Sequence, residues 1–173
     1  HGGPNARDYW GYNAEHQFLA SRGYAVLSMN FRGSTGYGRS HVKMANGEWG
    51  RKMQDDVTDS VNWAVEQGIA DPDNVCIYGA SYGGYAVMAG ITKTPKMYKC
   101  AVNYVGVTDM GLLFSKMPKV WEIWEEQQKI EIGDYENDKE YLDAVSPINL
   151  VDRIETPLYI CLLYTSDAAD DSG

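Results

Sequence analysis

A serine flanked by glycines stands at the centre of Gly79-Ala80-Ser81-Tyr82-Gly83-Gly84-Tyr85, directly after the apolar run Val75-Cys76-Ile77-Tyr78. A G-x-S-x-G segment between a strand and a run of small residues makes a turn too tight for bulky neighbours. Its strained geometry lifts the hydroxyl clear of the backbone, where a base can reach it. The chemistry is acyl transfer: the hydroxyl attacks a carbonyl, and the charge that develops on the carbonyl oxygen needs fixed N–H donors. A second segment can supply one. His1-Gly2-Gly3-Pro4 is a loop in which missing side chains let the backbone approach a substrate carbonyl. A backbone N–H of this loop and that of the residue after the serine, Tyr82, are the candidate donors. On its own HGGP also reads as an ordinary Gly-Pro turn, and its pairing with GASYGGY is what points to chemistry.

These loops need strand ends to stand on. Segments of two hydrophobic periods alternate along the chain, which predicts an α/β class with a mostly parallel sheet and helices on both faces. A helix is predicted over Glu15 to Ala20, closed by Arg22-Gly23. Tyr24 to Asn30 reads as a buried parallel strand that runs into the Gly-rich loop Phe31 to Gly38. Met53 to Gln67 reads as a helix with Val57, Val61, Ala64 and Val65 as its apolar stripe and Gly68 as its stop. After the turn Asp71-Pro72-Asp73-Asn74 come the strand before Ser81, a helix of small residues over Gly84 to Ile91, and a strand over Cys100 to Val105. Met110 to Tyr141 is acidic and carries Trp121 and Trp124; a helical, lid-like segment is expected. Thr156-Pro157 enters a last strand. Arg32 lacks the Lys-Ser/Thr ending of a phosphate loop and reads as scaffold. Asp55 and Asp56 point about 100° apart on a helix, so they read as a solvated first turn favoured by the helix dipole.

The 173 residues have ordinary globular composition, with 44% hydrophobic and 23% charged residues. The net charge of −9 disfavours a nucleic-acid partner, and no apolar run is long enough to span a membrane. Cys76, Cys100 and Cys161 show no metal-ligand spacing; buried free thiols in a reducing, cytoplasmic setting are expected. No metal or other cofactor is called for.

HGGP, the NFRGSTGYG loop, GEWG at Gly47 to Gly50 and GASYGGY together resemble the catalytic domain of the prolyl oligopeptidase family, near its acylaminoacyl-peptidase and dipeptidyl-aminopeptidase branch. The likeness runs from His1 to about Ile160. It implies an α/β-hydrolase fold and a serine peptidase acting on short peptides beneath an upstream β-propeller. Ser81 would be the acylating nucleophile, and Gly3 and Tyr82 the oxyanion donors. The Tyr82 ring, Val107, Met110 and Leu113 would line the slot for the residue preceding the scissile bond, although plain core packing accounts for these side chains almost as well. An esterase on the same elbow, or a non-catalytic binding relative, are the alternative readings.

Acid and base are the conspicuous gap. In α/β-hydrolases they follow the serine along the chain, yet His1, His16 and His41 all precede Ser81. Asp109, Asp134, Asp138, Asp143 and Asp152 come before the strand end that presents the acid. The chain is therefore expected to be a domain truncated at both ends. Residues 1–160 would be partial catalytic domain and 161–173 an adaptor-derived tail, and the fragment itself would be inactive.

Overall fold

The computed structural model describes residues 1–117 and 119–162. Its centre is a parallel three-stranded sheet in the order β1 (Cys76–Ala80), β2 (Cys100–Tyr104), β3 (Leu158–Cys161). The register places Cys76 beside Cys100 and Ala101 beside Leu158. Around it, in chain order, lie α1 (Ala14–Ala20), α2 (Arg39–Lys43), α3 (Lys52–Glu66), α4 (Tyr82–Lys93), α5 (Met110–Ser115), α6 (Glu125–Glu131) and α7 (Lys139–Val145). Most of the elements expected from hydrophobic period are present within a residue or two.

The helix that follows the elbow organises the core. From Tyr82 to Thr92 every residue of α4 is buried, as expected of a helix made of small and apolar residues on all sides. Tyr82, Tyr85, Ala86 and Ala89 face one cluster with Phe31, Trp49, Met53, Met110, Ile132 and Leu142. Val87, Met88 and Ile91 face a second cluster with Tyr98 and Ala101. The stripe expected on α3 is half-buried apart from Ala64, and Met53 and Gln54 are the more deeply enclosed.

Three expectations are corrected and one, the helical segment from Met110 to Tyr141, is refined. Tyr24 to Asn30 forms no strand, because nothing among the described residues pairs with it; Tyr24, Val26 and Leu27 are 59%, 39% and 49% exposed. The cysteines are not all free thiols: Cys76 and Cys100, register partners at the start of β1 and β2, form a disulfide, Cys76 is exposed, and Cys161 alone is free and only half-buried. Asp56 is no freely solvated carboxylate. Arg32 grips it as a fork, Nε to Oδ2 at 2.8 Å and Nη2 to Oδ1 at 2.6 Å, and the Arg32 backbone N–H donates to the same Oδ2. Its neighbour Asp55 does face solvent and pairs with Lys93 at 2.6 Å. Finally, Met110 to Tyr141 is a series of short pieces, α5, a 3-10 segment Lys119–Trp124, α6 and the start of α7. Met110 and Ile132 anchor that series in the core, while Trp121 and Trp124 stay exposed. Cys161 closes β3, and residues 163–173, most of the expected tail, lie outside the described residues.

Candidate active site

Ser81 occupies the turn between β1 and α4 with φ 57° and ψ −118°. A side-chain-bearing residue reaches that region only when its surroundings hold it there. Two hydrogen bonds do so: the Ser81 N–H donates to the Tyr104 carbonyl at 3.0 Å, and the Ser81 carbonyl accepts from the Tyr85 N–H at 3.0 Å. The flanking glycines have a direct cause. A methyl group on Gly79 would run into the Gly83 carbonyl, so strand and helix can meet this closely only if residue 79 has no side chain. The serine side chain remains exposed.

The amino-terminal loop lies against this turn. A Cβ on Gly2 would stand 3.3 Å from the Ala80 carbonyl oxygen and 4.0 Å from Ser81 Oγ, and one on Gly83 would stand 3.3 Å from the His1 carbonyl oxygen. Gly3 has φ 121°, a conformation that suits glycine. Among the described residues, neither the Gly3 N–H nor the Tyr82 N–H has a hydrogen-bond partner. Tyr82 is also the first residue of α4, where the helix dipole adds partial positive charge. The two loops singled out in the sequence, 80 residues apart, are thus brought together.

The four slot residues share one neighbourhood with unequal exposure. The Tyr82 ring is enclosed edge-on to Trp49 at 4.5 Å, and its hydroxyl donates to Met53 Sδ at 3.6 Å. Burial pushes the phenol well above its ordinary range. Met110 is fully buried in the same cluster, whereas Val107 and Leu113 are half-buried against its edge. Tyr82 and Met110 are therefore enclosed in the packed core, and Val107 and Leu113 lie at its partly exposed edge. A separate hollow of about 450 Å³ lies beyond Phe31, walled by Met29, Arg32, Met44, Asp56 and Trp63, and neither Ser81 nor Gly3 contributes to it.

None of the three histidines hydrogen-bonds the Ser81 hydroxyl. The His1 ring stacks on Phe31 at 4.3 Å, with Nε2 2.8 Å from Ser34 Oγ. His16 Nε2 lies 3.2 Å from Ser28 Oγ, and His41 Nε2 3.2 Å from the Phe31 carbonyl oxygen. Four of the acidic candidates are engaged locally: Asp109 caps α5 through the Leu112 N–H, Asp134 accepts from the Glu136 N–H, Asp138 accepts from the Asp134 N–H, and Asp143 pairs with Lys139. One residue escaped sequence reading. Asn103, buried within β2, accepts the Gly106 N–H at 2.9 Å beside the elbow. Its signal was a lone amide in an otherwise apolar strand.

A strained serine between a parallel strand and a buried helix, with a glycine loop laid against it, defines the α/β-hydrolase class. The chain belongs to the prolyl oligopeptidase family, whose profile matches residues 10–171. It is 48% identical over 162 residues to dipeptidyl aminopeptidase BIII of Pseudoxanthomonas mexicana, covering 92% of this chain and 24% of that protein. Identity to dipeptidyl peptidase family member 6 of Caenorhabditis elegans is 40% over 163 residues, covering 92% of this chain and 22% of that protein. Among solved structures, a puromycin-hydrolysing peptidase of Mycobacterium tuberculosis superposes with a TM-score of 0.87 at 29% identity, over 93% of this chain and 24% of that one. The chain thus spans about a quarter of the length of these relatives.

Proposed function

We propose that this chain carries the nucleophile and the oxyanion loops of a serine peptidase acting on short peptides. The observation that carries the reading is Ser81 itself: a strained, exposed serine at the amino end of a buried helix, with the Gly2 backbone against it. In the reaction, Ser81 Oγ attacks the scissile carbonyl carbon and its proton passes to a base. The oxygen that becomes negative accepts from the Gly3 and Tyr82 N–H groups, and the departing amine takes the proton. An ester of Ser81 remains, and water releases it by the same route. The base is none of the three histidines of this chain, whose rings are engaged with Ser34, Ser28 and Phe31.

Val107 and Leu113, over the floor of Tyr82 and Met110, make a medium apolar slot for the residue preceding the cut. The peptide substrate class is supported by family membership and by the peptidase names of its relatives, and a β-propeller elsewhere in the full-length protein by family membership alone. A reducing, cytoplasmic setting loses its ground, because two of the three thiols on which it rested are joined; a cross-link of that kind favours an oxidising compartment. No helix among the described residues is long and apolar enough to cross a membrane.

The test is Ser81→Ala in the full-length protein, assayed with peptide p-nitroanilides. Turnover should fall by about 10⁵-fold or more, as when a catalytic serine is removed from a triad. Retention of the unsubstituted rate would overturn the assignment.

A further inference from the structure

Beside the elbow, β2 ends in a second strained turn. Val105 has φ 48°, a region that β-branched side chains avoid. It is held by its own N–H, which donates to the Cys161 carbonyl at 2.8 Å, and the preceding Tyr104 carbonyl takes the Ser81 N–H at 3.0 Å. Gly106 then passes so close to the first turn of α4 that a Cβ on Gly84 would stand 2.6 Å from Gly106 Cα and 2.8 Å from its nitrogen. Wedged beneath both is Asn103, 1% exposed, whose Oδ1 accepts the Gly106 N–H at 2.9 Å and would lie 2.5 Å from a Gly84 Cβ.

A polar side chain buried in a parallel strand costs stability unless it is hydrogen-bonded, and what it bonds shows what it holds in place. Here the amide oxygen ties a strained turn to the helix that carries the nucleophile. The residue after that turn is Val107, the outward wall of the slot. We infer that Asn103 is a positioning residue for substrate selection. Through Gly106 and Gly84 it sets the spacing between Ser81 and Val107, and with it the size of side chain accepted before the scissile bond. Loss of the amide oxygen frees Gly106 from its acceptor and lets Val105 leave its strained conformation, so Val107 shifts relative to the Ser81 hydroxyl.

This inference rests on acylation at Ser81, and the experiment separates the two. The full-length protein is first titrated with a small fluorophosphonate, which counts competent serines whatever fraction of the preparation is folded. No labelling at Ser81 in the unsubstituted protein would defeat the proposed function. With labelling established, kcat/KM is measured for matched peptides bearing Ala or Phe before the cut, each normalised to titrated sites. Asn103→Ala should shift the Phe-to-Ala ratio on the order of tenfold, the scale on which an apolar pocket discriminates by a few methylenes. The rate of fluorophosphonate labelling should change much less than that ratio. Asn103→Asp, isosteric and still an acceptor, should return the ratio to within about twofold, consistent with a lost contact being responsible. If Asn103→Ala yields no titratable site, Asn103→Val, which fills more of the space than alanine but offers no hydrogen-bond acceptor, carries the same comparison. An unchanged ratio, or labelling and both peptides declining in step, would show that Asn103 serves stability alone.

Discussion

At the scale of single residues, the chain shows the same side-chain types put to different uses by position. Arg32 reads as scaffold and Asp56 as a solvated first-turn carboxylate in the sequence, yet they are bound to each other by two charge-assisted bonds and a backbone N–H. Both side chains are only 20% exposed, so solvent screens the pair less than a surface ion pair. The pair fastens the loop after Asn30 to the first turns of α3, directly beneath the His1–Phe31–Tyr82 stack. Removing the carboxylate leaves the guanidinium and the Arg32 N–H without partners. Asp56→Ala should therefore cost about 1–3 kcal/mol, read as a fall in Tm of about 3–10 °C. Asp56→Asn, which keeps an acceptor for the backbone N–H, should lose less. An Asp56→Ala protein melting within a degree of the unsubstituted one would make the fork a surface ornament.

At the scale of elements, the segment from Tyr24 to Asn30 shows how far hydrophobic pattern reaches. Its residues have the composition of a buried strand, but a strand also needs a neighbour to pair with, and none of the described residues provides one. The result is a segment without ladder hydrogen bonds and with exposed Tyr24, Val26 and Leu27, an arrangement that invites pairing between molecules. Val26→Lys should lower concentration-dependent association of the 173-residue chain in light scattering while changing its stability by less than about 0.5 kcal/mol, since the site is already exposed. Monodisperse behaviour of the unsubstituted chain at the same concentrations would contradict the premise. The contrast with β1 and α4 explains what was legible. Gly79, Ser81 and Gly83 encode their turn locally, through the collisions that a side chain would cause, and HGGP is readable because it too is a backbone device. Asn103 and the Cys76–Cys100 bridge depend on which strands lie side by side, information that exists only once β1 and β2 are in register. The Arg32–Asp56 fork is hidden for the same reason, its partners being 24 residues apart on different elements.

At the scale of the whole molecule, both core clusters are built around tyrosines that burial keeps protonated. Desolvation raises Tyr98, in the second cluster, to about 12, and raises Tyr82 and Tyr85, in the first, well beyond the ordinary value of 10. Tyr141, packed on the edge of the first cluster, is pushed up to about 12 by desolvation although the Arg51 guanidinium over its ring opposes the shift. The sign of the linkage is set by the unfolded chain, whose phenols lose their protons near pH 10. Below that pH both states hold the protons and these groups add no pH dependence. Between about 10 and 12 the fold still holds protons that the unfolded chain has released, so stability falls as pH rises through that window. Because tyrosines of both clusters act in the same direction, the decline should end in cooperative unfolding rather than in separate titrations. Phenolate absorbance at 295 nm, followed with far-ultraviolet circular dichroism, should show a buried set of tyrosines ionising together with loss of helix, at a pH well above that of the exposed set. If all the tyrosines instead titrate reversibly near pH 10 with the helical signal intact, the rings of Tyr82 and Tyr85 are not enclosed, and the packed floor proposed for the slot does not exist in solution.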